Sequence, residues 1–189
     1  MLDKIATGPQ IKGMYIGGRW ASGTGTFADI NPSDDTEWAK IPDAGRVETR
    51  VAIEAAQAAF VEWSELPFTH RARFMLKVAN VWEKRIPDFV AAMQNEGGGW
   101  VGKGGFEGGY VTEVFRAAAA ATYGPIGEVL PSEHGKVSTA VRYPMGVVAV
   151  ISPWNFPAIL SSRGFAFPMA AGNTIVLKPS EDTPYTGGL

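Results

Sequence analysis

The 189 residues contain no cysteine. Within them, disulfides, thiolate metal sites and a cysteine nucleophile are therefore excluded. Histidine is almost as scarce, with His70 and His134 far apart in the chain. No G-x-S-x-G elbow occurs, so a serine hydrolase has neither its nucleophile setting nor a nearby base. Metal-ligand spacing is missing as well, and Glu133-His134 beside Gly135 reads as a solvated loop. The acidic residues are dispersed and suggest no carboxylate pair. No apolar run approaches the ~20 residues of a membrane span. The opening MLDKIATGPQ lacks the apolar core of a secretory signal, so the expected localisation is cytoplasmic, with no membrane partner. A formal net charge of −2 gives no reason to expect nucleic acid as a partner.

What remains is a globular composition, 46% hydrophobic and 19% charged. Its most informative stretch is Gly146 to Pro184. Val147 to Ile151 is a β-branched run without a polar residue, the pattern of a strand buried on both faces. Pro153 and Pro157 bracket Trp154, Asn155 and Phe156 in a loop that neither strand nor unbroken helix can occupy. An apolar helical segment from Ala158 to Ala171 stops at Gly172-Asn173. Thr174 to Leu177 is a second buried-strand run and delivers Lys178 at its carboxyl end. The unit is long enough for a parallel βαβ crossover, in which ligands bind beyond the carboxyl ends of the strands. Asn155 and Lys178 both fall there.

Upstream, Met14 to Trp20 and Thr26 to Ile30 read as strands joined by a turn at Ser22 to Gly25, with a third strand over Glu37 to Ile41. Apolar spacing predicts a helix over Arg46 to Glu65, ended by Pro67. Thr69 is the expected N-cap of the next helix, and Pro87 the expected start of another that runs to Glu96. His70, Arg71 and Arg73 look like an exposed helix side. Gly97 to Gly109 formally contains G-x-G-x-x-G and most of a P-loop, but Gly104 stands where Ser or Thr should hold magnesium. No strand precedes it, so the favoured reading is a flexible connection between helices. Tyr110 to Tyr123 is again helical, and Glu128 to Tyr143 contains two strands around the Pro131 to Gly135 turn.

PWNFP followed by AAGNTIVLKPSEDTP resembles the aldehyde dehydrogenase superfamily, and YIGGRW and INPSD agree in order. The resemblance covers nearly the whole chain. It implies an α/β fold: the amino-terminal part of an aldehyde dehydrogenase-like fold, with helices, the first βαβ of a Rossmann-like parallel sheet and an oligomerisation-arm hairpin. The implied divisions are 1–124 for amino-terminal strands and helices, 125–146 for the arm and 147–189 for the βαβ unit. The implied reaction is NAD- or NADP-dependent oxidation of an aldehyde to a carboxylic acid by an enzyme that forms homo-oligomers. Asn155, third in PWNFP, matches the asparagine that holds the oxyanion. Lys178 and Glu181 match residues contacting a ribose. Ile151, Ser152, Pro153 and Trp154 match the loop along which the cofactor lies, and Ser180 adds a polar group. Glu181 favours NAD, because a carboxylate repels a 2′-phosphate. The segment YGPIGEVLPSEHGKVSTAVRYPMGVVAVISPWNFP looks most like members acting on aromatic aldehydes.

The family's cysteine nucleophile and general-base glutamate lie beyond the equivalent of Leu189 in complete members. The resemblance therefore implies an incomplete chain, inactive alone. The alternative is a non-catalytic cofactor-binding or assembly module that associates with full-length subunits.

Overall fold

The computed structural model describes residue 11 and residues 13–188. Gly17 and Gly18 adopt φ of 57° and 80° and close a hairpin between β1 (Met14–Ile16) and β2 (Arg19–Ala21). A two-residue turn of this kind needs left-handed φ at both central positions, which glycine supplies freely. The turn thus falls inside YIGGRW, earlier than the Ser22 to Gly25 position expected. β3 (Gly25–Ile30) pairs antiparallel with β4 (Glu37–Asp43). Trp38, Ala39 and Ile41 of β4 are buried in a small core with Ala92.

Helix α1 (Arg46–Glu65) appears where the apolar spacing predicts it. Its start is held by Glu48, whose carboxylate accepts the Gly45 N–H at 2.8 Å. Helix α2 spans Phe68–Glu96 without interruption. Two expectations are corrected here. Pro67, not Thr69, occupies the N-cap position, and Pro87 lies inside the helix rather than starting a new one. Pro87 denies a donor to the carbonyl four residues back. Both Pro87 and Glu83 are exposed, so water can solvate that carbonyl while the opposite face keeps its packing.

Helix α3 (Val101–Ala121) overturns the flexible-connection reading, leaving only four residues between α2 and α3. The glycines are there for close approach. A Cβ on Gly104 would lie 3.2 Å from the Val90 Cα, and one on Gly108 would lie 2.9 Å from Ile86 Cγ2. The Trp82 indole N–H donates to the Gly108 carbonyl at 2.8 Å across the same contact. Met75, Ala79, Trp82, Phe89 and Met93 of α2 join Val111, Phe115 and Ala118 of α3 in the main core. The P-loop reading falls with it, since a helix and not a strand leads into the glycines and Gly104 packs against Val90.

β5 (Gly127–Leu130) and β6 (Ser138–Val141) form an antiparallel ribbon, half-buried at Gly127 and exposed at every other residue. β7 (Val147–Ile151), α4 (Pro157–Ala170) and β8 (Thr174–Lys178) follow, and β7 and β8 pair in parallel. Gly172, at φ 99°, ends α4, and the Asn173 side-chain carbonyl accepts the Met145 and Gly146 N–H groups at 2.7 and 3.1 Å. The helix exit is thereby tied to the strand entrance. The strands are less covered than a β-branched run suggests. Val150 is buried, but Ala149 and Ile151 are exposed and Ile175 to Leu177 are half-buried, because β7 and β8 pair only with each other among the described residues. A five-residue helix, α5 (Pro184–Gly188), was not foreseen.

Arg71 corrects another expectation. It is half-buried, donating from Nε to the Ala170 carbonyl at 2.9 Å and from Nη1 to the Ser64 and Leu66 carbonyls. It therefore joins the start of α2 to the end of α4, whereas His70 and Arg73 remain exposed.

Candidate functional site

The parallel register pairs Val147 with Thr174 and ends with Ile151 opposite Lys178. One further rung is made when the Ser152 N–H donates to the Lys178 carbonyl at 3.1 Å. Beyond it the chain cannot continue as strand, because Pro153 has no N–H for the ladder. Pro157, whose φ suits the first helical position, starts α4 four residues later. Asn155 is exposed in this turn. The sequence-identified residues Ile151 to Asn155 and Lys178 are thus brought to one rim.

Their environments differ. Ile151 is 78% exposed and Trp154 60%, while Lys178 and Glu181 are exposed and form an ion pair at 2.7 Å. The hydrogen bond from Lys178 holds the Glu181 carboxyl below its ordinary value. Ser152 and Ser180 are buried. The Ser161 hydroxyl donates to Ser152 Oγ at 2.8 Å, and Ser180 Oγ accepts the Asp182 N–H at 3.3 Å. These two serines shape the turns behind the rim.

Two groups near these elements were not singled out from sequence. Glu107, wholly buried on α3, accepts the Ala158 and Ile159 N–H groups of α4 at 2.8 and 3.2 Å and pairs with Lys103 at 3.2 Å. Burial raises its carboxyl pKa, while the Ile159 N–H and the Lys103 ammonium act in the opposite sense. Its i, i+4 spacing from Lys103 was visible in the sequence; its partners on α4 were not.

The second group overturns the expectation of no carboxylate pair. Asp29 of β3 and Glu96 of α2, both buried, lie close enough for each carboxyl group to disfavour charge on the other. Burial pushes Glu96 up to about 8 and Asp29 up to about 6. Two carboxyl groups buried side by side also oppose each other's ionisation. Glu96 also accepts the Tyr185 and Thr186 N–H groups at 2.5 and 2.8 Å, and the Thr186 hydroxyl, at the start of α5.

Fold and rim define an α/β protein whose candidate ligand site lies at parallel strand ends. Residues 20–189 match the aldehyde dehydrogenase family. The chain belongs to that family, which comprises NAD(P)-dependent oxidoreductases. It is 39% identical over 178 residues to a vanillin dehydrogenase of a Pseudomonas species, covering 92% of this chain and 36% of that protein. A salicylaldehyde dehydrogenase of Pseudomonas putida is 34% identical, with 93% of this chain and 37% of the relative covered. Among solved structures, an NAD-dependent benzaldehyde dehydrogenase from Corynebacterium glutamicum superposes with a TM-score of 0.89 at 34% identity, over 95% of this chain and 40% of that one. The chain thus spans a little over a third of the length of the curated relatives it matches. No helix among the described residues is long and apolar enough to cross a membrane.

Proposed function

We propose that this chain supplies the oxyanion donor and part of the cofactor rim of an aldehyde dehydrogenase, which oxidises an aldehyde to a carboxylic acid with NAD or NADP. The observation that carries this reading is the register of β7 and β8, which sets the Asn155 turn and Lys178 at the same strand ends. In the proposed reaction the Asn155 carboxamide donates a hydrogen bond to the negative oxygen that develops as the carbonyl is attacked. A neutral amide held between two prolines needs no reorganisation to do so, and such donors are worth about 3–4 kcal/mol.

The rim fits a dinucleotide. An exposed ammonium and carboxylate, Lys178 and Glu181, can bond ribose hydroxyls, and the exposed Ile151 and Trp154 offer apolar surface beside them. Ser152, Pro153 and Ser180 contribute through the backbone course they impose. A bound nicotinamide would supply the acceptor for the substrate's hydride. Glu181 favours NAD over NADP through repulsion of a 2′-phosphate. The likeness to vanillin, salicylaldehyde and benzaldehyde dehydrogenases supports an aromatic aldehyde as substrate.

The 189 residues hold no cysteine, so the attacking thiolate of the family's chemistry does not come from them. Purified as this polypeptide, the chain is expected to form no NADH from NAD and benzaldehyde. Residues 1–124 and 147–189 form the cofactor-binding part in this reading, and 125–146 the arm for assembly into a homo-oligomer. Calorimetric titration with NAD tests the proposal. Saturable 1:1 binding that Lys178→Ala weakens at least tenfold supports it, and heat indistinguishable from buffer would refute it.

A non-catalytic assembly module is the second reading, favoured by the β5–β6 ribbon. Ile126, Val129, Val137, Tyr143 and Met145 are all at least 70% exposed there, an apolar surface that a partner would cover. Sedimentation equilibrium separates the cases: self-association without NAD affinity favours the module, and a monomer without affinity argues against both.

A further inference from the structure

Every amino-terminal donor of α4 finds its acceptor inside the protein. Pro157, first in the helix, has no N–H. Ala158 and Ile159 give theirs to Glu107 Oε1, and Leu160 gives its own to the Phe156 carbonyl at 2.9 Å. A helix start ordinarily offers such donors to an anion from outside. Here the anion is a side chain from 51 residues upstream, fully buried.

The same carboxylate reaches Lys103 through Oε2 at 3.2 Å, and the Lys103 ammonium lies 4.8 Å from the centroid of the Phe156 ring. A cation at that distance is attracted to the ring face. The Glu107–Lys103 pair on α3 therefore grips the turn at two points: the helix start through backbone N–H groups, and Phe156 through its ring. Asn155 is the residue immediately before Phe156. At the other end of the turn, Ser152 is fixed to β8 through the Lys178 carbonyl and to α4 through Ser161. Between these anchors only Pro153, Trp154 and Asn155 remain, and Pro153 has a fixed φ.

We infer that Glu107, with Lys103, is the positioning residue for Asn155: it holds the exposed carboxamide at one place on the strand-end rim, without itself meeting substrate or cofactor. The inference deepens the function proposed above and rests on Asn155 being the oxyanion donor. A buried carboxylate suits the task because it can accept two backbone N–H groups with one oxygen while the other holds the ammonium.

The test is solution NMR on the 189-residue protein, comparing wild type with Glu107→Ala, Glu107→Gln and the exposed control Glu113→Gln. In Glu107→Ala the Ala158 and Ile159 amides should exchange with solvent at least tenfold faster, and the Asn155 side-chain amide pair should shift. Glu107→Gln retains a carbonyl oxygen for both N–H groups, so the Asn155 pair should return close to its wild-type position. Faster exchange at Ala158 and Ile159 with an unmoved Asn155 pair would overturn the inference, leaving Glu107 as a helix cap alone. So would a Gln variant displaced as far as the Ala variant. If Glu107→Ala does not fold, Lys103→Met leaves the cap and removes the cation, and an unchanged Asn155 pair in that variant counts against the role. NAD titration of the same wild-type sample is read separately: failure to bind refutes the proposed function, whereas the Asn155 resonances report positioning whether or not cofactor binds.

Discussion

The Glu96 carboxyl group accepts the Thr186 N–H at 2.8 Å across 90 residues of sequence, and the buried Asp29 lies beside the same group. The start of α5 is thus attached to the end of α2 through a carboxyl group whose pKa burial pushes up to about 8.

Stability should therefore fall as pH rises. Asp29 and Glu96 carry pKa values of about 6 and about 8, above their ordinary 3.8 and 4.5, so the folded state binds the extra protons. Their contribution is complete below the ordinary carboxyl range and is lost as pH climbs through 6 and 8. Between about pH 5 and pH 8.5 the melting temperature should drop by on the order of 5 °C. Glu96→Gln should flatten most of this dependence while keeping an acceptor for Thr186. A melting temperature that rises across the same interval would show the pair to be ionised in the fold.

The glycines of α3 should divide into two classes. Gly108→Ala sets a methyl 2.9 Å from Ile86 and Gly104→Ala one at 3.2 Å from the Val90 backbone. Each should cost about 1–3 kcal/mol in urea unfolding. Gly105 and Gly109 face open space, so Ala there should add about 0.5–1 kcal/mol through helix propensity. Equal effects at all four positions would mean that α2 and α3 do not approach as closely as described.

Pro87→Ala restores a donor to the helix interior on an exposed face. It should stabilise the protein by about 1–3 kcal/mol. Denaturant midpoints report the change, and a lower midpoint would indicate that the ring itself packs against something essential.

The Lys178–Glu181 pair is exposed on both sides, so breaking it should leave the melting temperature nearly unchanged. Ligand preference should respond instead. Glu181→Gln removes the charge that opposes a 2′-phosphate and frees the ammonium, and NADP affinity relative to NAD should rise at least severalfold in parallel titrations. An unaltered ratio would remove Glu181 from the rim.

Local pattern was enough for much of this. The period of α1, the punctuation at Pro157 and Gly172-Asn173, and the two β-branched runs each depend on residues within a turn or two of one another. So the βαβ unit, and with it the meeting of the Asn155 turn and Lys178, could be read from the chain. The same locality misled at Pro87, where packing of α2 outweighs a missing donor on a solvated face. It misled at Gly97 to Gly109 as well, because residues with poor helix propensity are held helical by the backbone approach they permit to Val90 and Ile86.

The amino-acid order by itself determined the family and the strand-end rim, since each is written in contiguous residues, and it shows that these 189 residues hold no cysteine. Only the tertiary structure decided that Glu107 closes the start of α4, that Asp29 and Glu96 are buried side by side, and that Ser152 and Ser180 turn inward. Those facts depend on burial and on partners well separated in sequence, nine residues apart for Ser152 and Ser161 and 51 for Glu107 and Ala158, apart from the local Ser180 turn, and no local spacing encodes which distant group will exclude water from a carboxylate.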